Sequence, residues 1–351
     1  MQRPITLFSV ILVLLRRPGL TNASAGDMDP SFIMCVGECD EVTCGSDPHG
    51  APSRFGTGFP PWTCHDDCVY DCMHDITFQR RLIGHGPHKY YGHWPFVRVF
   101  GLEEPASVLF SLLNGVPYVW NLVSSCHQHQ HQQQHQPRHR HYMQPWLAMY
   151  YVIGINAWGC SAFFHARKTP QSSLVDYVSA LLFLAYSLWV ACRRVWGARA
   201  RPRAVAAVFS GFLFLYGWQA CRMVRGLVPF HRHMQLCIAI SVAIVATWSA
   251  WILLPTPTPS SGTASSASSV GGTGSRYRYL CLLCQVWFSL AALLELFDFP
   301  ALWGHFDAHS LWHLATVPLG FIWAVFWRLD TATDAATAAA VDDEPGAQKQ
   351  K

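Results

Sequence analysis

The sequence predicts an all-α membrane protein with seven transmembrane helices that follow a disulfide-rich lumenal N-terminal segment. Composition is the first observation: of 351 residues, 51% are hydrophobic and only 13% are charged, whereas soluble domains carry about 25% charged residues. The second is a series of seven apolar stretches, each near the ~20 residues that cross a bilayer as a helix. The third is a group of six cysteines that precedes the first of these stretches.

Residues 1–25 are typical of a secretory signal peptide. Arg3 precedes the apolar run ITLFSVILVLL, and the small residues ASA at 23–25 offer a cleavage site. An uncleaved anchor is the alternative, but the run is shorter than the ~20 residues that a span requires. Residues 26–100 are therefore predicted to form a lumenal, cysteine-rich segment.

The cysteines of this segment indicate three disulfides, because they follow a signal peptide into an oxidising compartment. The candidates are Cys35, Cys39, Cys44, Cys64, Cys68 and Cys72. Their pairing is left open by the sequence. A zinc module is the alternative, but the spacings CxxxCxxxxC and CxxxCxxxC differ from the CxxC pairs that are common in zinc sites.

The seven apolar stretches define a predicted transmembrane domain over residues 101–328. They run over 105–124, 145–165, 175–192, 204–221, 234–254, 279–297 and 308–327. Low complexity predicts irregular loops in the His/Gln tract at 125–144 and the Ser/Gly-rich linker at 255–278, and a disordered cytosolic tail over 329–351.

The orientation follows from the signal peptide, since a lumenal segment before the first span sends the odd-numbered helices toward the cytosol. The segment 192–203, CRRVWGARARPR, then lies on the cytosolic side with five arginines, as the positive-inside rule favours. The formal charge of +4 is small, and no run of Lys or Arg indicates a nucleic-acid surface.

Five polar residues from three helices fall at the lumenal side at one depth in this topology. They are Ser161 and His165 at the end of the second span, Asp176 at the start of the third, and His309 and His313 at the start of the seventh. Ionisable groups inside a membrane are costly, and they indicate a functional site by default.

Three of these residues are candidate zinc ligands. Residues four apart share a helix face, so His309 and His313 can bind one ion, and His165 would supply a third nitrogen and leave one position open. Catalytic zinc sites have this arrangement, and the ion lowers the pKa of its water to about 7. Asp176 could accept the proton of that water, and the Ser161 hydroxyl could stabilise an oxyanion.

Structural interpretations of the same residues stay open. Histidines near a membrane interface often only form hydrogen bonds, serines in membrane helices bond their own backbone, and Asp176 could cap the third helix. Capping or packing also explains Glu104, although it could reach the site, and Glu295 could be interfacial. His305 and Asp307 could lie behind the ligands or simply in a loop.

The chain resembles a known family through these residues and several longer motifs. SAFFH, Asp176 eleven residues later and HSLWH are similar to the seven-helix hydrolase superfamily that includes alkaline ceramidases and adiponectin receptors. Within it, the chain most resembles the Per-one-like family of post-GPI-attachment factors. The similarity extends over GECDEVTC, TCHDDCVYDCM, WPFVRVFGLEEPASVLFSLLN, NAWGCSAFFHARKT and LLELFDFPALWGHFDAHSLWH; the two low-complexity loops depart from the family pattern.

This resemblance implies a GPI-specific phospholipase of the A2 type that removes the unsaturated sn-2 acyl chain from the phosphatidylinositol of GPI-anchored proteins. It implies zinc on His165, His309 and His313, with Asp176 as base and Ser161 beside the oxyanion. The expected location is the Golgi membrane, or alternatively the endoplasmic reticulum membrane, with the site facing the lumen. Two alternatives remain: a non-enzymatic, zinc-stabilised receptor or GPI-protein export factor, and a ceramidase-like amidase.

Overall fold

The computed structural model describes residues 24–54, 61–135, 141–197, 200–254 and 277–342, and this part of the chain is almost wholly helical. Within these ranges nine α-helices follow in order: α1 Pro30–Cys39, α2 Cys64–Leu82, α3 Pro105–His135, α4 Gln144–Ala166, α5 Pro170–Trp196, α6 Pro202–Val224, α7 Phe230–Leu253, α8 Arg278–Phe297 and α9 Ala308–Asp342. A π-helical turn, Asp40–Cys44, follows α1. Isolated β-bridges occur, but the described ranges contain no strand.

Helices α3 to α9 are each long and apolar enough to cross a membrane. This confirms the predicted fold class and marks the chain as that of a multi-pass membrane protein. The predicted signal peptide lies outside the described residues except for its last two positions, and so does nearly all of the linker at 255–278.

Two helices extend beyond their predicted ends. Helix α3 continues to His135, within the His/Gln tract for which an irregular loop was predicted, and α9 continues to Asp342, within the predicted disordered tail. Ala and Gln are good helix formers, so low complexity here does not prevent helix formation. Arg194 also binds α9 through both carboxylate oxygens of Asp330, at 2.7 and 2.8 Å, which fixes the helix beyond residue 328.

Helix starts follow recognisable capping chemistry. The Thr63 hydroxyl accepts from the Asp66 backbone N–H while the Asp66 carboxylate accepts from Thr63, a capping box at the start of α2. At α9, the Asp307 carboxylate accepts from the Ser310 N–H at 2.8 Å. Asp307 is therefore the N-cap that fixes where the seventh spanning helix begins.

The chain divides into two compact units that each combine distant segments. Unit 1 contains the cysteine-rich segment together with the helix ends around residues 104, 165 and 309, and unit 2 contains the greater part of the spanning helices. Unit 1 is Met1–Ser111, Cys160–Asp176 and Leu294–His313, and unit 2 is Leu112–Gly159, Tyr177–Leu293 and Leu314–Lys351.

Three disulfides join α1 and its π-helical extension to α2 in unit 1, as predicted. The pairs are Cys35–Cys72, Cys39–Cys68 and Cys44–Cys64. As the cysteine positions advance along α1 and the π-helical turn, their partners move backward along α2. The two segments therefore run antiparallel. The Sγ atoms of Cys44, Cys64 and Cys68 lie close together because two disulfides are adjacent, and these sulfurs are not thiolates that could bind zinc.

Aromatic side chains build the core of unit 2. Trp248, Trp251 and Phe326 are buried and in mutual ring contact, with centroids 5.5 to 5.6 Å apart. Tyr186 donates its hydroxyl proton to the Trp146 carbonyl at 3.0 Å, so α5 and α4 are joined by a hydrogen bond as well as by packing.

Candidate metal centre

Three histidines from α4 and α9 converge within unit 1. His165 is the next-to-last residue of α4, and His309 and His313 lie one turn apart at the start of α9. The Nε2 atom of His313 lies 3.2 Å from Nε2 of His165 and 3.0 Å from Nε2 of His309. The three histidines form a group whose ligand atoms all lie within 4.8 Å of one another, a spacing that could hold a metal ion.

The spacing of these nitrogens fits tetrahedral zinc. Zinc–nitrogen bonds of about 2.0–2.1 Å at tetrahedral angles separate neighbouring ligand nitrogens by about 3.3 Å. The Nε2 separations of 3.2 and 3.0 Å lie close to that value. Three imidazoles are also a donor set that suits a catalytic zinc ion.

A carboxylate stands behind two of the three histidines. Oε2 of Glu104 lies 2.6 Å from Nδ1 of His165, and Oε2 of Glu295 lies 2.8 Å from Nδ1 of His309. A carboxylate at Nδ1 selects the tautomer that keeps its proton there, so each Nε2 presents a lone pair to the shared centre. Facing lone pairs repel, and a cation between them removes the repulsion.

The position of Glu104 is fixed by backbone and side-chain contacts. The N–H groups of Glu103 and Glu104 donate to the carbonyls of Ala166 and His165, both at 3.0 Å. The Lys168 ammonium contacts Oε1 of Glu104. Burial alone would raise the pKa of Glu104, but Lys168 and His165 hold this pKa well below its usual range. Glu104 is therefore an ionised partner for His165.

Lys168 extends the same polar chain to His93. Its Nζ atom lies 2.7 Å from Nδ1 of His93. Burial, together with the charge of Lys168, lowers the pKa of His93 well below its ordinary value. A neutral His93 accepts a hydrogen bond from Lys168, so a continuous polar chain runs from His93 through Lys168 and Glu104 to His165.

The centre is exposed at His309 and Glu295. His165 and His313 are buried, whereas the side chains of His309 and Glu295 remain 34% and 40% exposed. An ion on the three nitrogens would be enclosed by α4 and α9 on the buried side. A ligand from outside would approach along the edge formed by His309 and Glu295.

The two predicted catalytic residues also lie in unit 1, at different places around the histidines. Ser161 is buried one turn before His165, and its Oγ lies 3.1 Å from Oγ of Ser111. Asp176 is half-buried in the second turn of α5 and interacts electrostatically with His309 and Lys168. Their chemical roles remain predictions.

The structure also decides between the structural interpretations offered for neighbouring polar residues. Thr169 precedes α5 and accepts from the Ser172 N–H at 3.0 Å, so the N-cap of α5 is Thr169 and not Asp176. Asp307 caps α9. Glu104 and Glu295 both contact histidines of the centre, which goes beyond the capping and interfacial interpretations that the sequence allows.

Sequence reasoning did not single out His93 and Lys168. Lys168 follows His165 by only three residues, and proximity to a candidate ligand was the one available signal. His93 lies in the lumenal segment, far from any span in the sequence, and nothing in its neighbourhood distinguishes it from other histidines.

The described part of the chain has seven spanning helices and a three-histidine centre backed by carboxylates. These features define a multi-pass membrane protein with a candidate metal site near the ends of its helices. A model of the Per1-like family matches residues 57–331. The chain therefore belongs to the Per1-like family, which confirms the family resemblance that its motifs indicated.

Curated relatives cover most of the chain. It is 31% identical over 314 residues to the GPI-specific phospholipase A2-like PGAP3 of Danio rerio, covering 87% of this chain and 90% of the relative. The Xenopus laevis protein of that name is 28% identical over 324 residues, covering 89% and 92%. The Post-GPI attachment to proteins factor 3 of Drosophila melanogaster is 28% identical over 330 residues, covering 91% and 92%. No solved structure matches the chain.

Proposed function

We propose that this protein is a zinc-dependent carboxylic ester hydrolase that remodels the lipid moiety of GPI-anchored proteins. Its substrate would be the phosphatidylinositol of the anchor, from which it removes the unsaturated sn-2 acyl chain. The convergence of His165, His309 and His313, with carboxylates behind two of them and one open side, carries the proposal. The names of the relatives, GPI-specific phospholipase A2-like, support the substrate.

His165, His309 and His313 would hold the ion, and Glu104 and Glu295 would orient the first two of these rings. A zinc ion with three imidazole ligands supplies Lewis acidity that polarises a carbonyl and favours ionisation of water at neutral pH. Asp176 would accept a proton from the attacking water at a carboxylate oxygen. The Ser161 hydroxyl would donate a hydrogen bond to the oxyanion that develops on the sn-2 carbonyl.

The proposed location is a secretory-pathway membrane, with the centre on the lumenal side. Unit 1 contains both the centre and the three disulfides, and disulfides form in an oxidising lumen. GPI-anchored proteins carry their lipid in the lumenal leaflet, so enzyme and substrate would meet there. We favour the Golgi membrane, with the endoplasmic reticulum membrane as the alternative.

A non-enzymatic role is the second candidate, because the name of the Drosophila melanogaster relative states no activity. In that case the ion would be structural and would join α4 to α9. Structural zinc sites have four protein ligands, whereas the histidine group found among the described residues has three members. The open edge at His309 therefore favours hydrolysis, of an ester or, as in ceramidases, of an amide.

The test is the lipid of a GPI-anchored reporter in cells that lack the endogenous protein. We expect His165→Ala to leave the unsaturated sn-2 chain in place while the reporter still reaches the surface, measured by mass spectrometry of the released lipid. His233→Ala is the matched control, since His233 is a buried histidine of a spanning helix in unit 2. Normal remodelling by His165→Ala would show that the centre is not catalytic.

A further inference from the structure

Three turns of unit 1 place an aromatic residue where the backbone favours glycine or asparagine. In each turn an aromatic residue and the glycine after it both have positive φ, as the central residues of type I′ turns do. The aromatic φ values are 49°, 53° and 52°, and the pairs are Tyr91–Gly92, Phe100–Gly101 and Trp303–Gly304. Bulky residues rarely adopt this conformation, and an outlier of this kind often marks a function.

The three rings differ in what they contact. The Tyr91 ring packs against Phe32, with centroids 6.2 Å apart, and Tyr91 is 45% exposed. Phe100 is 98% exposed and Trp303 is 83% exposed. The last two rings therefore contribute little to packing within the chain, although their backbone conformation is unfavourable for them.

Both exposed turns are held next to the ends of spanning helices. Phe100 and Trp303 each lie five residues before a span, at Pro105 and Ala308 respectively. The Val97 N–H donates to the Gly304 carbonyl at 2.9 Å and joins the two turns. The Glu103 N–H donates to the carbonyl of Ala166, which is the last residue of the spanning helix α4. The turns thus lie together where spanning helices end.

We propose that Phe100 and Trp303 insert into the lipid interface of the bilayer beside the candidate metal centre. Aromatic residues concentrate at this depth, because the interface accommodates an apolar ring at the boundary between acyl chains and headgroups. The spans and the turns support this insertion whether or not the protein is a hydrolase. The insertion would hold the exposed edge at His309 and Glu295 close to the headgroup level of the leaflet.

Photocrosslinking of the full chain in phosphatidylcholine vesicles tests this contact. p-Benzoylphenylalanine replaces Phe100, Trp303, Tyr91 or Val42 in turn; Tyr91 has the same turn geometry, and Val42 is an exposed apolar residue of the disulfide-bonded segment. We expect phospholipid adducts at 100 and 303, and their absence at 91 and 42. Absence of lipid adducts at 100 and 303, or adducts there with a co-purified protein instead, would overturn the proposal.

Asparagine variants separate membrane contact from a structural role. Asn tolerates positive φ better than Phe or Trp, so the double variant Phe100→Asn, Trp303→Asn should unfold in detergent at or above the wild-type temperature. In vesicles, where the rings can insert, the same variant should lose stability relative to the wild type. A lower unfolding temperature in detergent would mean that the rings stabilise the fold itself, and would contradict the proposal.

Discussion

The Nδ1 atom of His165 lies 2.6 Å from Oε2 of Glu104, and both side chains are buried. These residues are 61 positions apart in the sequence. The contact joins the residue before the first spanning helix to the end of the second. Because Lys168 binds the other oxygen of Glu104, the ring that faces the candidate metal position is supported by a fully paired carboxylate.

Removing the charge of Glu104 should weaken metal binding without abolishing it. Loss of a carboxylate behind a metal-ligating histidine typically costs about 10–100-fold in affinity, so we expect a loss of that size for Glu104→Gln. Zinc competition with a chelating dye measures it. Glu103→Gln is the matched control. The Glu103 carboxylate accepts from the Lys168 backbone N–H, whereas the Glu104 carboxylate contacts the His165 ring. Equal affinities of the two variants would contradict the role of Glu104.

The purified protein should contain one zinc ion per chain, bound by the three histidines. We expect His313→Ala to lose the ion and His233→Ala to retain it, as measured by elemental mass spectrometry of protein in detergent. A ligand that binds only the folded state stabilises it by about 2.7 kcal/mol at a hundredfold excess over Kd. Chelation should therefore lower the unfolding temperature of the wild type and leave His313→Ala unchanged; a chelator effect of equal size on both would place the ion elsewhere.

Acid sensitivity should depend on Lys168. The folded-state pKa of Glu104 lies well below its unfolded value of about 4.3, so its ionised form stabilises the fold above that pH. The stabilisation is lost as the pH falls through the folded pKa. Lys168→Met removes the main opposite charge, raises the folded pKa and moves the midpoint of acid unfolding to higher pH.

The same substitution also leaves a buried carboxylate without its cation, which costs about 3–5 kcal/mol. Lys89→Met is the control, because Lys89 pairs with Asp298 where both side chains are partly exposed, and such pairs contribute about 0–1 kcal/mol. Circular dichroism measured as a function of pH gives the acid-unfolding midpoint of the wild type, Lys168→Met and Lys89→Met. An acid midpoint for Lys168→Met no higher than that of Lys89→Met would contradict this account.

A hydroxyl pair allows the role of Ser161 to be tested against a matched neighbour. Ser111→Ala and Ser161→Ala remove the same 3.1 Å hydrogen bond, so their effects on folding should be similar. If Ser161 stabilises the oxyanion, only Ser161→Ala should lose about 10²–10³ in the rate of anchor remodelling. The lipid profile of a GPI-anchored reporter measures the rate, and equal losses in both variants would reduce Ser161 to a packing role.

The sequence could predict the spanning helices and the proximity of the three histidines, because both follow from local patterns. Hydrophobic length sets each span, and the alternation of helix direction places the end of one helix beside the start of another. His165, His309 and His313 therefore fall on one side from topology alone. Their role as zinc ligands stays a prediction.

The remaining features depend on contacts between residues that are distant in sequence. The sequence shows that Glu104 and Glu295 are polar residues near helix ends. Their hydrogen bonds to histidines depend on tertiary structure and cannot be predicted from a single sequence. The disulfide pairing depends on the antiparallel arrangement of α1 and α2. The two hydrogen bonds between Arg194 and Asp330, which join α5 to α9 beyond residue 328, link residues that are 136 positions apart.

The separation of the candidate ligands has a consequence for biosynthesis. His165 and His313 are 148 residues apart, and His313 belongs to α9, the seventh spanning helix of the described residues. A nascent chain that has inserted six spans carries only one of the three imidazoles. Metal loading would therefore require that α9 has been translated and inserted, because a chain truncated before α9 would have Glu104 and His165 but neither of the other two histidines.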